Sequence, residues 1–362
     1  MTTIAPGHTI GILGDGQLGR MMALAAAELG YKTHIYGQDP DAPAAQVSTY
    51  STVAEYTDTE ALKKFATDVD VVTLEFENIP SETLKVLEKI VPVRPGRKVL
   101  ETSQDRFIEK SFLNSLGVPT APFANVENLT DLGKAIERIG TPAVLKTRRF
   151  GYDGKGQFKI TNGTQIDEAW EAVNGHPSIL EGFVPFDLEI SVIVARDIQG
   201  NIETYVPVEN RHKNHILDIT LAPADIMKVV SKHATELAAK IADNLDLVGL
   251  IAVEMFVTNE GDVLVNELAP RPHNSGHWTI EACVTSQFKQ SIRAAAGLPL
   301  ASPERHSNAV MRNLIGHDID HWQEILNHPE MSLHLYGKAE AREGRKMGHV
   351  TRLFPLDTKP KA

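Results

Sequence analysis

Residues 250–268 read LIAVEMFVTNEGDVLVNEL, and this stretch decides how the fold is interpreted. Two apolar, β-rich runs flank the turn-forming pair Glu260-Gly261, a pattern that predicts a β-hairpin. A turn of even length centred on that pair places Glu254 directly opposite Glu267, whereas a turn of odd length would face one of them to solvent. Two opposed carboxylates in apolar surroundings are costly to bury without a cation. We therefore predict that both hold Mg²⁺, which binds carboxylates together with substrate phosphates.

The segment after the hairpin, PRPHNSGH at residues 270–277, is rich in hydrogen-bonding groups. Its prolines restrict the backbone, which suits side chains that must be held in place. A lone loop histidine is more often structural than catalytic, but the group of Arg, His, Asn and Ser side chains in this loop favours a site. Arg271, with His273 in the same loop, can hold a planar anion through paired N–H donors. Asn266 is expected to complete or support the metal site.

Upstream of the hairpin, residues 146–157 read KTRRFGYDGKGQ and lie between β-rich runs at residues 142–146 and 157–160. Backbone N–H groups of a glycine-rich loop between strands can fold over a phosphate chain, and cationic side chains accompany the glycines here. The alternative is a solvated basic hairpin. We predict a phosphate-binding loop that begins at Lys146.

Two further segments are weaker candidates when each is taken alone. The strand at residues 178–184 ends in a linker that can pair with an adenine edge, and Glu189 on the next strand can accept ribose hydroxyls, although an exposed strand Glu is usually only solvated. Lys338 and the basic segment at residues 342–349 form a cluster that either binds a substrate phosphate or is an exposed basic turn.

The glycine pattern GDGQLG at residues 14–19 follows a predicted strand and opens a predicted helix. With Asp39 downstream, it matches the dinucleotide-binding fingerprint. Glycines at a strand-to-helix turn serve dinucleotide binding, binding of another ligand or close packing alone, and these alternatives stay open at this point.

The chain divides into two halves of different texture. The first hundred residues alternate strands (9–13, 32–36, 70–76) with helices (17–29, 59–66, and 82–90 capped by Ser81), which predicts a parallel, doubly wound α/β sheet. From Thr102 onward, a helix capped by Ser103 and running to residue 116 and another at 129–139 precede β-rich runs, one of them at 202–208. A long helix at 224–245 and the hairpin follow, so we predict an α+β region with antiparallel pairing.

Composition restricts the functional class. The formal net charge of -11 over 362 residues makes a nucleic-acid partner unlikely by simple electrostatics. The single cysteine, Cys283, lies in a predicted helical stretch at residues 280–292 and is expected to be a buried structural thiol. One thiol cannot form an intramolecular disulfide, no run is apolar enough to span a membrane, and no secretory signal is evident. We expect a cytoplasmic protein without a membrane partner.

In their order along the chain, these motifs resemble the ATP-grasp superfamily, and more closely its 5-(carboxyamino)imidazole ribonucleotide synthase family. The resemblance rests on residues 12–21 (ILGDGQLGRM), 75–78 (EFEN), Lys146 with the loop at 151–157, 266–277 (NELAPRPHNSGH) and 345–349 (RKMGH). It implies an ATP-grasp fold with an N-terminal α/β domain at residues 1–104 and an ATP-grasp domain at 105–298. Residues 105–184 would form a mobile β-rich lid, and 299–362 a C-terminal region that completes the acceptor site in an antiparallel lobe. A homodimer is also implied.

The resemblance implies which residues contact each ligand. For ATP these are Arg106, Lys146, Gly151, Tyr152, Asp153, Gly154, Lys155, Gly156, Gln157, Glu181, Gly182, Phe183, Val184, Glu189, His212, Asn266 and Glu267. For the ribonucleotide they are Gly16, Gln17, Leu18, Glu75, Asn78, Asn274, Ser275, Lys338, Arg345 and Lys346. We expect catalytic roles for Lys146, Tyr152, Asp153, Arg271 and His273, and magnesium at Glu254 and Glu267.

The implied reaction joins bicarbonate to aminoimidazole ribonucleotide at the expense of ATP, by way of carboxyphosphate. The Tyr152 hydroxyl can donate a hydrogen bond and the Asp153 carboxylate can accept one from an exocyclic amine, which suits these substrates. The alternatives are a formate-dependent glycinamide ribonucleotide ligase on a similar framework and, from another class, an NAD-dependent oxidoreductase that uses the glycine pattern near the N-terminus.

Overall fold

The computed structural model describes residues 2–151 and 155–361. The N-terminal region is a parallel four-stranded sheet with helices on both faces. Its elements are β1 (Thr9–Leu13), α1 (Gln17–Glu28), β2 (Lys32–Gly37), β3 (Tyr50–Val53), α2 (Thr59–Thr67), β4 (Val71–Leu74), α3 (Ser81–Leu87) and α4 (Arg97–Ser103).

The strand order of this sheet is β3-β2-β1-β4, and every pairing is parallel. One face packs Ile10 and Ile12 against α1, and the other packs Leu13 and Val72 with residues of α2 and α3. The two central strands, β1 and β4, are buried along their whole length because helices cover both faces. The predicted parallel α/β sheet is confirmed.

A small antiparallel sheet follows, in the strand order β5-β8-β6-β7. The elements of this part are α5 (Arg106–Ser115), β5 (Phe123–Val126), α6 (Leu129–Ile139), β6 (Ala143–Thr147), β7 (Gln157–Ile160), α7 (Ile166–Ala172) and β8 (Ser178–Gly182). Apolar residues of α6 and α7 pack on one face of the sheet and give it a core of its own. The glycine-rich segment joins β6 to β7, as the sequence predicts.

The remaining strands form one nine-stranded sheet. The elements in chain order are β9 (Leu188–Arg196), β10 (Ile202–Thr204), β11 (Val208–Lys213), β12 (Ile216–Ala222), α8 (Lys228–Asn244), β13 (Gly249–Val257), β14 (Val263–Ala269), α9 (Thr279–Ala282), α10 (Gln287–Ala296), β15 (Asn308–Ile315), α11 (Trp322–Leu326), β16 (Met331–Leu335) and β17 (Lys346–Phe354). Antiparallel pairing throughout confirms the predicted α+β character.

In this sheet the order β14-β13-β9-β11-β12-β15-β17-β16 joins the hairpin to the C-terminal strands, and β10 pairs with β9. The long helix α8 covers the hairpin end with Leu237, Ile241 and other apolar residues. Within the described ranges, no helix is both long enough and apolar enough to cross a membrane.

Four local predictions are wrong. Ser81 does not cap α3, which follows Pro80 without a side-chain cap. Ser103 is the last residue of α4 and not a cap; the predicted helix begins instead after Asp105, whose carboxylate accepts hydrogen bonds from N–H groups in the first turn of α5. The predicted strand at 202–208 is instead the short strand β10 (Ile202–Thr204) followed by the first residue of β11. Cys283 lies between α9 and α10, not inside one helix.

The Cys283 thiol is nevertheless buried, as predicted, and burial raises its pKa to about 12.

Candidate functional site

The hairpin of β13 and β14 places Glu254 directly opposite Glu267. The predicted pairing is confirmed, but its premise of an even turn is wrong. Val257 pairs with Val263 across an odd turn, and a bulge at Asn266 then restores the opposition of the two carboxylates. Both glutamates therefore lie on one face of the sheet.

Each of these carboxylates has a cationic or potentially cationic neighbour. Arg106 at the start of α5 donates to Glu267 at 2.6 Å, and the His273 Nε2 atom lies 3.0 Å from Glu254 Oε1. Burial alone would raise the pKa of Glu267, but Arg106, with Lys146 and His273 farther away, brings it to about 2. Glu267 is thus held as an anion.

A second buried charge cluster lies beside the hairpin. The Glu181 carboxylate on β8 is 2.8 Å from Lys146 Nζ and 3.4 Å from Lys110 Nζ, and both Glu181 and Lys110 are almost inaccessible to solvent. Burial opposes ionisation of Glu181, yet the two lysines lower its pKa to about 2. Lys110 also donates to the Asn266 backbone carbonyl at 3.0 Å. The cluster ties the small sheet to the hairpin bulge.

The glycine-rich loop is anchored at both of its described ends. Thr147 N–H donates to the Gly156 carbonyl at 2.8 Å, and Gly156 adopts a φ of +69°. A Cβ atom built on Gly151 would lie 3.8 Å from Arg106 Nη2, so the loop begins beside the arginine that holds Glu267. Tyr152, Asp153 and Gly154 lie outside the described residues.

The two arginines of this loop are held by other side chains of the protein. Arg148 forms a bidentate ion pair with Asp105 and reaches Glu127, while Arg149 donates to Gln104 at 2.7 Å. Both arginines therefore fix the base of the loop against the start of α5. Lys146 is the loop cation that faces the carboxylate clusters.

The predicted nucleoside contacts lie along β8, β9 and β11. Glu189 Oε2 is 3.1 Å from His212 Nδ1, and although burial lowers the pKa of His212, the hydrogen bond to Glu189 raises it overall. The segment after Glu181 leaves the end of β8, where Phe183 is exposed and its ring lies under Lys159 Nζ at 4.1 Å. The segment thus supplies an exposed aromatic ring, and the next strand supplies the Glu189 carboxylate.

The N-terminal glycine turn is filled by the chain's own carboxylate. Glu75 accepts from Gly16 N–H at 3.0 Å and from Gly19 N–H at 3.1 Å. Gly14 adopts a φ of +107°, and a Cβ atom there would lie 2.3 Å from Glu75 Cγ. The glycines thus make room for Glu75 and not for a dinucleotide pyrophosphate. Burial raises the pKa of Glu75.

Arg271 is held by a carboxylate that the sequence reasoning assigned to no role. It forms a bidentate ion pair with Glu77, with Nη2 at 2.7 Å from Oε1, and also donates to the Pro272 carbonyl. The amide of the neighbouring Asn274 is different, because its Nδ2 and Oδ1 atoms are shielded and lack a hydrogen-bond partner within residues 2–151 and 155–361. Such an amide is suited to a ligand.

The C-terminal basic cluster reaches the N-terminal turn. Lys338 Nζ donates to the Lys346 carbonyl at 2.7 Å, and Arg345 Nη1 donates to the Glu340 carbonyl at 3.0 Å. Burial, Arg345 and Lys346 lower the pKa of Lys338 to about 8, while Glu75 acts in the opposite direction. Gln46 Nε2 donates a hydrogen bond to the Gly337 carbonyl at 2.8 Å, so the N-terminal and C-terminal regions are in contact here.

Protein-family models and known proteins match nearly the whole chain. Three family models match: ribonucleotide synthetase preATP-grasp domain at residues 7–104, ATP-grasp domain at 111–288, and phosphoribosylaminoimidazole carboxylase C-terminal domain at 309–358. The N5-carboxyaminoimidazole ribonucleotide synthase of Brucella melitensis biotype 1 is 49% identical over 98% of each protein. The chain belongs to the N5-carboxyaminoimidazole ribonucleotide synthase family.

Solved structures agree with this family. The ADP complex of an N5-carboxyaminoimidazole ribonucleotide synthetase superposes with a TM-score of 0.95 at 46% identity, covering 98% of this chain and 94% of the other. The Aspergillus clavatus N5-carboxyaminoimidazole synthase, in complex with ADP and 5-aminoimidazole ribonucleotide, gives 0.90 at 32% identity, with 96% and 94% covered.

One relative is longer. The bifunctional purine synthesis protein purC/E of Dictyostelium discoideum is 51% identical over 96% of this chain, and the chain spans 37% of its length.

For this member of the N5-carboxyaminoimidazole ribonucleotide synthase family, the structure brings the predicted residues into neighbouring groups. One group surrounds the hairpin bulge and consists of Arg106, Lys146, Glu181 and Glu267. A second group lies between the glycine turn and the C-terminal strands and consists of Glu75, Lys338 and Arg345. Glu189 and His212 form a separate pair.

Sequence reasoning missed Glu77, Glu109 and Lys110. Glu109 Oε1 accepts from Leu268 N–H at 2.7 Å, and burial raises the Glu109 pKa to about 8. The missed signal was helical spacing, because Arg106, Glu109 and Lys110 share the face of α5 that buries Leu113. Charged residues on the buried face of a helix require partners.

Proposed function

We propose that the chain uses ATP to carboxylate 5-aminoimidazole ribonucleotide with bicarbonate, giving N5-carboxyaminoimidazole ribonucleotide, ADP and phosphate in purine synthesis. The observation that carries the proposal is the full-length identity to N5-carboxyaminoimidazole ribonucleotide synthases. Because Glu75 occupies the amide groups of the glycine turn, nothing here favours a nicotinamide enzyme.

ATP would bind between the small sheet and the hairpin. Arg106 lies between Gly151 and the Glu267 carboxylate, and Lys146 lies beside Glu181. A phosphate chain covered by the loop at 151–157 would therefore meet two cations at once. The nucleoside would extend toward Glu189, His212 and residues 181–184. Lys146 and Arg106 would stabilise negative charge on the transferring phosphoryl group.

The residues of the hairpin fit Mg²⁺. Glu254 and Glu267 face each other, and the Oδ1 atom of Asn266 is buried with no hydrogen-bond partner in the part of the chain that is described. Oxygen donors of this kind are those that Mg²⁺ prefers. Glu254 and Glu267 would hold the ion with Asn266 in support, and the ion would neutralise charge on the phosphates.

The ribonucleotide would bind at the meeting point of the N-terminal and C-terminal regions. Positive charge for its 5′-phosphate comes from Lys338, Arg345 and Lys346, and Asn274 supplies an amide that has no hydrogen-bond partner among the described residues. Gly16, Gln17, Leu18, Asn78 and Ser275 complete the proposed contacts. Glu75 lies close enough to this cluster to affect the pKa of Lys338, so it borders the same site.

In the proposed chemistry a bicarbonate oxygen attacks the γ-phosphorus of ATP, and ADP leaves. The resulting carboxyphosphate breaks down to phosphate and CO₂, and the amine nitrogen then forms the new C–N bond and loses a proton. Water would destroy the intermediate, so residues 105–184 must close over it. Arg271 and His273, with Tyr152 and Asp153, would place bicarbonate beside the amine. The Arg271–Glu77 pair orients the guanidinium for this role.

The proposal is tested by following phosphate release in CO₂-depleted buffer. Bicarbonate with aminoimidazole ribonucleotide should restore full turnover, whereas formate with glycinamide ribonucleotide should not. Stimulation by the second pair alone would overturn the substrate assignment and leave ATP use intact. We also propose that the protein is cytoplasmic, because a single cysteine fits a reducing compartment. The resemblance of the sequence to its family supports a homodimer.

A further inference from the structure

A cluster of histidines lies outside the groups described above, at the C-terminal hairpin. His334 on β16 and His349 on β17 are direct partners across the antiparallel pair. Their rings stack with centroids 4.6 Å apart, and Glu281 on α9 lies over them with its Oε1 atom 2.6 Å from His334 Nε2. Three elements that are distant in sequence thus bring two imidazoles and a carboxylate together.

Several polar atoms of this cluster are buried without partners. His349 is fully buried, and its Nε2 atom has no hydrogen-bond partner among the residues described, nor has the Oε2 atom of Glu281. Leaving such groups unsatisfied costs free energy, and natural cores seldom tolerate it unless a ligand or ion completes the site. Neither Glu281 nor His349 is among the residues proposed to contact ATP, Mg²⁺ or the ribonucleotide, so those roles do not account for the two atoms.

We propose that Glu281, His334 and His349 form a binding site for a divalent transition metal of the Zn²⁺ class. Within the described ranges they are the group of three such side chains whose candidate ligand atoms all lie within 4.8 Å of one another. Two imidazoles and one carboxylate are a known zinc ligand set that leaves a position for water. Nitrogen donors also disfavour Mg²⁺, which prefers oxygen.

Coordination requires the partly exposed His334 ring to turn out of the stack, because a metal lies in the plane of each imidazole that binds it and the two rings are now within 10° of parallel. Ligand atoms about 2.0–2.1 Å from a tetrahedral ion are roughly 3.3 Å apart, so the metal replaces the Glu281–His334 hydrogen bond and draws His349 Nε2 inward. The other nitrogen of His349 is already oriented, because Nδ1 lies 2.9 Å from the Tyr336 hydroxyl. When Nδ1 donates to that oxygen, Nε2 keeps its lone pair for the metal.

The site also has an entry route and a structural consequence. The His334 side chain is 32% exposed, so an ion reaches the cluster from solvent on that side. Bound metal would fasten α9, which directly follows the Asn274 segment, to the β16–β17 pair. The ion would therefore stabilise the C-terminal region against the loop that precedes α9.

The test uses the full-length protein, free of any affinity tag and stripped of metal by a chelator. Zn²⁺ is titrated by calorimetry, and Co²⁺ by its visible absorption, with Mg²⁺ present in large excess. We expect one zinc equivalent, a tetrahedral cobalt spectrum, a raised thermal midpoint with Zn²⁺, and no competition from Mg²⁺. Failure of the protein to bind Zn²⁺ at 100-fold molar excess would overturn the proposal.

Variants separate this site from the hairpin carboxylates. Glu281→Gln and His334→Asn should each weaken zinc binding at least 30-fold and abolish the thermal shift, and their metal-free circular dichroism should match the parent. Glu254→Gln, which alters the Glu254–His273 pair, should bind Zn²⁺ as the parent does. Zinc binding retained in the first two variants, or lost only in Glu254→Gln, would refute the assignment. Neither outcome depends on ATP turnover.

Discussion

Replacing Lys110 with methionine removes a buried charge while keeping the length of the side chain. The Lys110 ammonium donates to the Asn266 carbonyl at 3.0 Å and lies 3.4 Å from Glu181, which also keeps Lys146 at 2.8 Å. A charge-assisted hydrogen bond contributes about 1.5–3 kcal/mol, and breaking a buried ion pair costs about 3–5 kcal/mol. Glu181 retains one lysine and the variant avoids desolvating Lys110, so we expect a net loss of about 2–4 kcal/mol.

The assay is urea unfolding at neutral pH, paired with the apparent KM for ATP. Lys110→Met should lower the unfolding midpoint and raise the KM, because the Asn266 carbonyl anchors the bulge that aims Glu267. The matched control is Lys240→Met, since Lys240 also donates to a carbonyl, that of Leu116, but is exposed. That control should lose less than about 1 kcal/mol. Equal losses in the two variants, with an unchanged KM in Lys110→Met, would refute the reasoning.

Other predictions concern the same groups. Glu267→Gln should reduce the rate of phosphoryl transfer by about 100-fold or more, which is the effect of losing one electrostatic contact to the transition state. The control Glu260→Gln, at the turn of the same hairpin, should retain activity. Normal turnover in Glu267→Gln would count against the metal assignment. Arg345→Ala should weaken ribonucleotide binding, measured by calorimetry, by about 1.5–3 kcal/mol. The control Arg342→Ala, which removes a side chain that pairs with Glu340, should leave this binding unchanged. Weaker binding of ATP alone in Arg345→Ala would show that the assignment of Arg345 to the ribonucleotide is wrong. Hydrogen exchange across residues 146–157 should slow with an ATP analogue and Mg²⁺, and unchanged exchange at saturation contradicts a closing lid. The pKa of Glu181 is lowered from 4.5 to about 2, so its ionisation contributes folding stability that is present above pH 4.5 and is lost as the pH falls toward 2. The difference in unfolding free energy between the parent and Glu181→Gln should therefore shrink over that interval. A constant difference would show that the Glu181 ionisation does not contribute.

Local patterns predicted much of the fold. The bounds of β1, α6 and β7 are those that the sequence predicts, because each segment has a clear apolar pattern between turn residues. The strands that were not predicted lack such a pattern. β3 is largely exposed. β12 and the C-terminal strands form through pairing with strands far along the chain. Tertiary pairing therefore decided what local propensity did not.

The site was predicted unevenly for a related reason. The opposed glutamates could be inferred because they belong to one hairpin, although the bulge at Asn266 and not the turn produces their register. The contact between Arg106 and Glu267 spans 161 residues, so no local pattern reveals it. The filling of the glycine turn by Glu75 is likewise long-range, and it explains why the dinucleotide fingerprint is misleading here.

The continuity of the nine-stranded sheet bears on how the chain can be divided. β15 pairs with β12 and lies between it and β17, although the family models separate residues 111–288 from 309–358. A fragment that ends after the ATP-grasp segment would leave β12 with a row of unpaired N–H and C=O groups, an open edge of the kind that promotes aggregation. The segments matched by two family models thus share one continuous sheet, and a workable cut or insertion point must be sought in a surface turn, not at a family boundary.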